Sequence, residues 1–317
     1  MKPIAAFFRL IRSVNLLFIV LTQCLFQYFI VIPLFHDQDW SPALPGKYFA
    51  LLCFSSVCIA AAGYIINDYF DLNIDRINKP DRLLVDKVIR RRWAILWHWA
   101  LSFAGILLGG YVGWKLQVNW LGLANAGCVA ALWFYSTIFK KKMLSGNVII
   151  ALLTAWVVLV VGFATHYRLL THPAEYDSMQ ASKLLRLTFL YGGFAFIISL
   201  VREIVKDIED MPGDARYGCR TMPLVWGIQA TKMFAATWIL ILIAALAIVQ
   251  VYTLQFGWRA SFVYCVVFIL LPLLLILRKL IHAGTAEDFR LLSKWIKMVM
   301  LTGILSMIFF IVYWSPF

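Results

Sequence analysis

Long apolar runs, each near the length needed to cross a bilayer, dominate this chain from end to end. They lie at roughly 14–34, 48–66, 93–113, 118–138, 147–165, 187–205, 230–252, 261–278 and 295–315. A lipid-spanning helix needs about 20 mostly apolar residues, because every backbone polar group must find its partner within the segment. The runs are continuous rather than alternating, which argues against barrel strands. Composition agrees: of 317 residues, 62% are hydrophobic and 14% charged, with a mean hydropathy of +0.82. Soluble domains are nearer half apolar and a quarter charged. The expectation is an all-α membrane protein, a single domain over residues 1–317, with nine transmembrane helices in one bundle. The first run is followed by further spans and lacks a small-residue cleavage site, so it is read as a span and not as a cleavable signal.

The formal net charge of +13 sits between the runs, not within them. Basic residues mark the cytoplasmic side of a membrane protein. Placing the N-terminus inside puts 23 of the 29 Lys and Arg residues on that side, among them Arg76, Arg90 to Arg92, Lys140 to Lys142 and Arg202. The orientation expected is therefore N-inside and C-outside, in a cell membrane. Anionic headgroups or a phosphorylated substrate suit this charge. Nucleic acid does not, because no arginine-rich strip with interleaved aromatics is present. The six cysteines form no CxxC pair and no metal spacing with His, and fall mostly in apolar runs, where Cys acts as a small hydrophobe. Oligomeric state is not legible.

Two acidic clusters break the pattern, one after the second run and one after the sixth, on the same expected side. The first reads NDYFDLNIDRINKPDR, Asn67 to Arg82. Asn67, Asp71 and Asp75 stand four apart and share one helical stripe, flanked by Asp68. Carboxylates so placed at a membrane boundary lose hydration and repel one another. A hard divalent cation with oxygen ligands answers both problems, and Mg2+ characteristically joins one or two carboxylates to substrate phosphates. The second cluster reads REIVKDIEDMPGD, Arg202 to Asp214. Arg202, Lys206, Asp210 and Asp214 again climb in fours, with Asp207 on a shared face and a helix bend expected at Pro212 and Gly213. Cations with carboxylates on one stripe suit a phosphate bridged by metal. Either cluster alone reads equally well as a solvated charged loop; the pair, at matching places four spans apart, hints at an internal duplication with one cluster per half.

These residues resemble the UbiA-type intramembrane prenyltransferases. The first cluster is similar to that family's NDxxDxxxD signature, and the second to its KDxxDxxGD element. TMPLVWG, Thr221 to Gly227, resembles the TLPxxxG that follows. RLIRSVNLLF, Arg9 to Phe18, resembles the opening of the first helix, and YSTIFKKKMLSGN, Tyr135 to Asn147, the stretch between spans four and five. Within the family the motifs most resemble the geranylgeranylglycerol-phosphate geranylgeranyltransferase branch. One departure is that Arg82 is followed by Leu83 where Pro is usual.

The resemblance implies helices around a central cavity and transfer of a polyprenyl group from an allylic diphosphate to a lipophilic acceptor, with release of pyrophosphate. It implies two Mg2+ ions, one served by Asn67, Asp71 and Asp75, the other by Asp210 and Asp214, with Asp68 and Asp207 in support. Asp71, Asp210 and Lys206 would carry catalysis. Arg76, Lys140, Arg202 and Lys206 would hold phosphate oxygens, with Arg9, Arg12, Asn15 and Asn147 contacting substrate. Tyr28, Tyr64 and Trp133 are aromatic candidates for the prenyl cavity. The acceptor expected is a glycerol phosphate lipid, the alternative an aromatic quinone precursor of the hydroxybenzoate or dihydroxynaphthoate type. An ion-coupled transporter is the non-enzymatic reading; its sites would lie on broken helices near the midplane, whereas these clusters lie at span ends.

Overall fold

A computed structural model describes residues 3–36, 40–78, 83–172 and 177–310. Its helices are α1 (Pro3–Leu10), α2 (Ser13–Leu34), α3 (Gly46–Phe70), α4 (Leu72–Asn78), α5 (Arg91–Leu116) and α6 (Trp120–Thr137), followed by α7 (Ser145–Leu170), α8 (Ser178–Glu209), α9 (Met211–Arg216), α10 (Met222–Gln255), α11 (Arg259–His282) and α12 (Ala286–Ile308). Among the described residues, eight of these are long and apolar enough to cross a membrane: α2, α3, α5, α7, α8, α10, α11 and α12. The run at 118–138 becomes α6. It is 18 residues long and stands outside that set of eight. Its Asn125 is buried. The last run extends past residue 310, and that part lies outside the described residues.

The outer faces are apolar, with Leu107, Leu123 and Ile248 all strongly exposed. Lipid as solvent removes the hydrophobic drive between helices, so small residues and buried hydrogen bonds hold the bundle. Asn125 Nδ2 donates to Ser55 Oγ at 2.7 Å and to the Gly105 carbonyl at 3.0 Å, and Ser55 Oγ donates to that same carbonyl at 2.7 Å. Three helices, α3, α5 and α6, are thereby pinned at one point. Between α7 and α8, a Cβ on Gly162 would lie 2.2 Å from Thr188 Oγ1, so only glycine admits this approach.

The site is positioned by what happens where α3 and α8 end. Each long helix stops at an aspartate and resumes at once as a short helix, α3 at Asp71 before α4, and α8 at Asp210 before α9. Asp71 has φ −83 and ψ −3, and Asp210 has φ −91 and ψ 1. Both therefore occupy the sparsely populated bridge region that active-site residues frequent. The hydrogen bonds repeat as well. Asp71 N donates to the Asn67 carbonyl and Asp75 N to the Asp71 carbonyl, at 2.9 and 2.8 Å; Asp210 N donates to Lys206 and Asp214 N to Asp210, at 2.9 and 3.2 Å. The two bends are thus one local backbone device built twice. The second bend falls at Asp210 and not at Pro212 and Gly213. Pro212 instead occupies the first turn of α9, where its missing N–H costs nothing.

Candidate active site

Helices α4 and α9 pack against each other and bring the two acidic clusters to one end of the bundle. The Asn78 side chain joins them. Asn78, last residue of α4, donates from Nδ2 to the Asp210 carbonyl at 2.8 Å and accepts from Gly213 N at Oδ1, also at 2.8 Å. A Cβ on Gly213 would lie 2.5 Å from Asn78 Nδ2 and 2.6 Å from its Cγ and Oδ1. Glycine at 213 is therefore what lets Asn78 dock. Beneath the first cluster, Leu10, Ile65, Leu72, Val85, Ile89 and Ala94 form a buried apolar base.

Each carboxylate has a definite neighbour. Asp71, buried, accepts from Asn67 Nδ2 at 2.6 Å and pairs with the Lys140 ammonium. Asp68 takes Arg12 Nη2 at 2.7 Å, and the Arg12 guanidinium also lies 5.0 Å over the Tyr64 ring. Arg12 has a left-handed backbone, φ 51 and ψ 55, at the break between α1 and α2, a conformation that costs a non-glycine residue energy and is typical of functional sites. Burial opposes the charges of Arg12 and Lys140, but the Asp68 and Asp71 carboxylates outweigh it, so both are raised above their ordinary range and remain cationic.

In the second cluster Asn147 Nδ2 donates to Asp207 Oδ2 at 2.8 Å. Lys206 Nζ holds buried Glu203 at 2.8 and 3.1 Å, and Arg202 Nη1 reaches the same carboxylate at 3.2 Å. Asp210 is half-buried and Asp214 buried, one turn on.

The sequence expectations thus meet mixed outcomes. Asn67, Asp68, Asp71, Lys140 and Arg12 join around the first bend, and Asp207, Asn147, Lys206 and Arg202 around the second. Asn15 is reached by Lys297 Nζ at 2.6 Å. Arg76 turns away instead: it is exposed and lies 3.5 Å from Asp86, so a loop carboxylate rather than the cluster claims it. Arg9 is exposed on α1. Tyr64 belongs to the site through Arg12. Trp133 packs with Phe70, His98 and Trp99. Tyr28 is half-exposed and about 24 Å along α2 from Arg12 at the usual helical rise. Lys79 and Arg82 lie outside the described residues. Asn78, Glu203 and Lys297 escaped the sequence reading. Asn78 follows Asp75 by three and Glu203 precedes Lys206 by three, spacings that place each near its cluster.

The donor set suits Mg2+. Asn67 Oδ1 is buried with no hydrogen-bond partner among the described residues, an oxygen that a hard cation would satisfy. Among the described residues no three His, Cys, Asp or Glu side chains gather closely enough to hold an ion by themselves.

The chain matches the UbiA prenyltransferase family over residues 14–314. Digeranylgeranylglyceryl phosphate synthase of Methanothrix thermoacetophila is 31% identical over 258 residues, 81% of this chain and 84% of that protein. A solved structure of a digeranylgeranylglyceryl phosphate synthase in membranes has a TM-score of 0.61 at 23% identity, covering 97% of this chain and 99% of that one. A UbiA homolog from Archaeoglobus fulgidus bound to DMAPP and Mg2+ has a TM-score of 0.55 at 16% identity, over 93% of this chain and 98% of that one. This chain belongs to the UbiA prenyltransferase family and is an integral membrane prenyltransferase.

Proposed function

We propose that the enzyme transfers a polyprenyl group from an allylic polyprenyl diphosphate to a glycerol phosphate lipid, releasing pyrophosphate. The observation that carries this reading is the joint at Asn78, which ties two acidic bends together beside Lys140, Lys206 and Arg202. The glycerol phosphate acceptor is supported by the Methanothrix relative, whose name specifies that class of product.

Asn67, Asp71 and Asp75 would hold one Mg2+, and Asp210 and Asp214 a second. Bound there, the ions would neutralise charge growing on the departing diphosphate. Lys140, beside Asp71, and Lys206, beside Glu203, would hold phosphate oxygens of the diphosphate. The allylic C–O bond breaks with its electron pair leaving on the diphosphate. The acceptor hydroxyl attacks the allylic carbon and its proton passes to a nearby base. The whole chain forms one domain, with α6 as a ninth span around a central prenyl cavity, N-terminus inside and the site facing the cytoplasm of a cell membrane.

The test is purified protein in nanodiscs with labelled geranyl, farnesyl or geranylgeranyl diphosphate, Mg2+ or EDTA, and a panel of acceptors. Metal-dependent prenylation of a glycerol phosphate ether lipid is expected. Transfer only to a hydroxybenzoate or dihydroxynaphthoate would overturn the acceptor assignment, and no pyrophosphate release with any acceptor would overturn the whole.

A further inference from the structure

The last helix carries a cation that the acidic clusters do not account for. Lys297 lies on α12, within a helix long and apolar enough to span the membrane. Its ammonium points inward: Nζ donates to Asn15 Oδ1 at 2.6 Å and lies 5.0 Å over the Phe18 ring. Both partners are neutral, and among the described residues no carboxylate lies within ion-pair distance of it. A charged side chain inside a bundle ordinarily has an opposite charge or a functional ligand.

Its surroundings favour the ligand. Helix α8, which carries Arg202, packs against α12, and Ile198, Val201 and Val205 share an apolar core with Ile296 and Val299 on either side of Lys297. Arg202 also has a buried Nε with no hydrogen-bond partner among the described residues, although its Nη1 reaches Glu203. Asn15 lies in the first turn of α2, beside Arg12 at its start, whose guanidinium lies over the Tyr64 ring. Arg12 answers Asp68. Two cations on packed helices, one with an idle buried donor and the other held by an amide oxygen and an aromatic ring, suit an anion placed between them. A topology signal reading headgroups does not explain an ammonium turned toward α2.

We propose that Lys297 and Arg202 form the binding site for the phosphomonoester of the acceptor, with Asn15 holding Lys297 ready. The proposal rests on the glycerol phosphate reading of the function. It leaves Lys140 and Lys206 to the donor diphosphate, so that the two phosphorylated substrates enter by separate cations. Helix α12, which carries no acidic motif, thereby becomes the element that selects the acceptor.

The experiment uses the full chain in nanodiscs, comparing Lys297→Gln and Lys297→Arg with the wild type. Two readouts are taken: steady-state kinetics with donor and acceptor varied separately, and the thermal shift produced by glycerol phosphate. Lys297→Gln is expected to raise the acceptor KM about tenfold or more while the donor KM moves less than about twofold, the signature of lost ground-state binding of one substrate. The glycerol phosphate shift disappears, the unliganded Tm holds, and Lys297→Arg restores most of both. An unchanged acceptor KM and shift, or an equal rise in donor KM, overturns the site. Should the wild type prenylate only an uncharged aromatic acceptor, the functional reading falls; the anion site stands or falls separately, on whether Lys297→Gln abolishes the glycerol phosphate shift.

Discussion

Asn78 and Gly213 act as one unit, and the geometry sets how their substitutions combine. Asn78→Ala removes both hydrogen bonds, takes from the Gly213 N–H its side-chain acceptor and leaves the Asp210 carbonyl with Asp214 N alone. With about 1–1.5 kcal/mol for each bond in this half-buried setting, the loss is about 2–3 kcal/mol. It falls on the docking of α9 against α4 and not on the bundle, because neither group is in the apolar core. Gly213→Ala reaches the same state from the other side: its Cβ, 2.5 Å from Nδ2, expels the amide and breaks the same two bonds. Once Asn78 is alanine there is nothing for that Cβ to strike. The double variant should therefore be no worse than either single one, a coupling of about 2–3 kcal/mol. At about 1.4 kcal/mol per factor of ten, each of the three variants weakens Mg2+-dependent binding of the donor by about 30- to 150-fold. The assay is tryptophan quenching by an unreactive prenyl thiodiphosphate titrated at several Mg2+ concentrations, with Tm recorded alongside. A half-saturating Mg2+ that rises while Tm holds marks positioning rather than general destabilisation. If the single effects simply multiplied in the double variant, the clamp would be the wrong account of both residues.

Asp71→Asn and Asp210→Asn should each lower turnover at least about 100-fold, the scale of losing one electrostatic element of a transition-state site, with folding retained by fluorescence-detected size exclusion; near-normal turnover in either would remove that bend from the mechanism. EDTA should abolish activity and Mg2+ restore it, because Asn67 Oδ1 and the carboxylates need a cation bridging them to phosphate; activity that persists in EDTA counts against the metal. Lys232→Met should lower Tm and leave turnover per folded molecule intact. Its ammonium caps the Ile281 and Ala283 carbonyls at 2.7 and 2.9 Å, and orphaning two buried acceptors costs about 2–4 kcal/mol. Cysteine labelling at the two termini should report opposite sides of the membrane, as an odd number of spans requires; labelling from one side only would leave α6 as an internal helix.

The fold class was legible because lipid makes an unusually simple demand: a helix must be long and apolar, and eight runs met it openly. The ninth run was read in the same way, but it becomes α6, which stands outside that set of eight. Asn125 lowers its hydropathy and also pins it to Ser55 and Gly105, so a residue that argues against a span in the sequence is one that binds the helix into the bundle. The acidic site was legible as a set of residue types at fourfold spacing, because carboxylates at a membrane boundary need an explanation. What spacing could not convey is that both stripes cross a bend. Asp71 and Asp210 sit at the break itself, with nearly equal dihedrals, so the repeat is one of backbone geometry more than of side-chain identity. The residues that escaped, Asn78, Glu203 and Lys297, act across long separations in the chain or through a neighbour's charge. Asn78 bridges to a carbonyl and an amide, which every residue possesses, so nothing in the second cluster's side chains announces it. Lys297 counted in the sequence only as one more cytoplasmic cation. Its inward aim depends on the packing of α12 against α2, and that packing is what separates a topology signal from a binding residue.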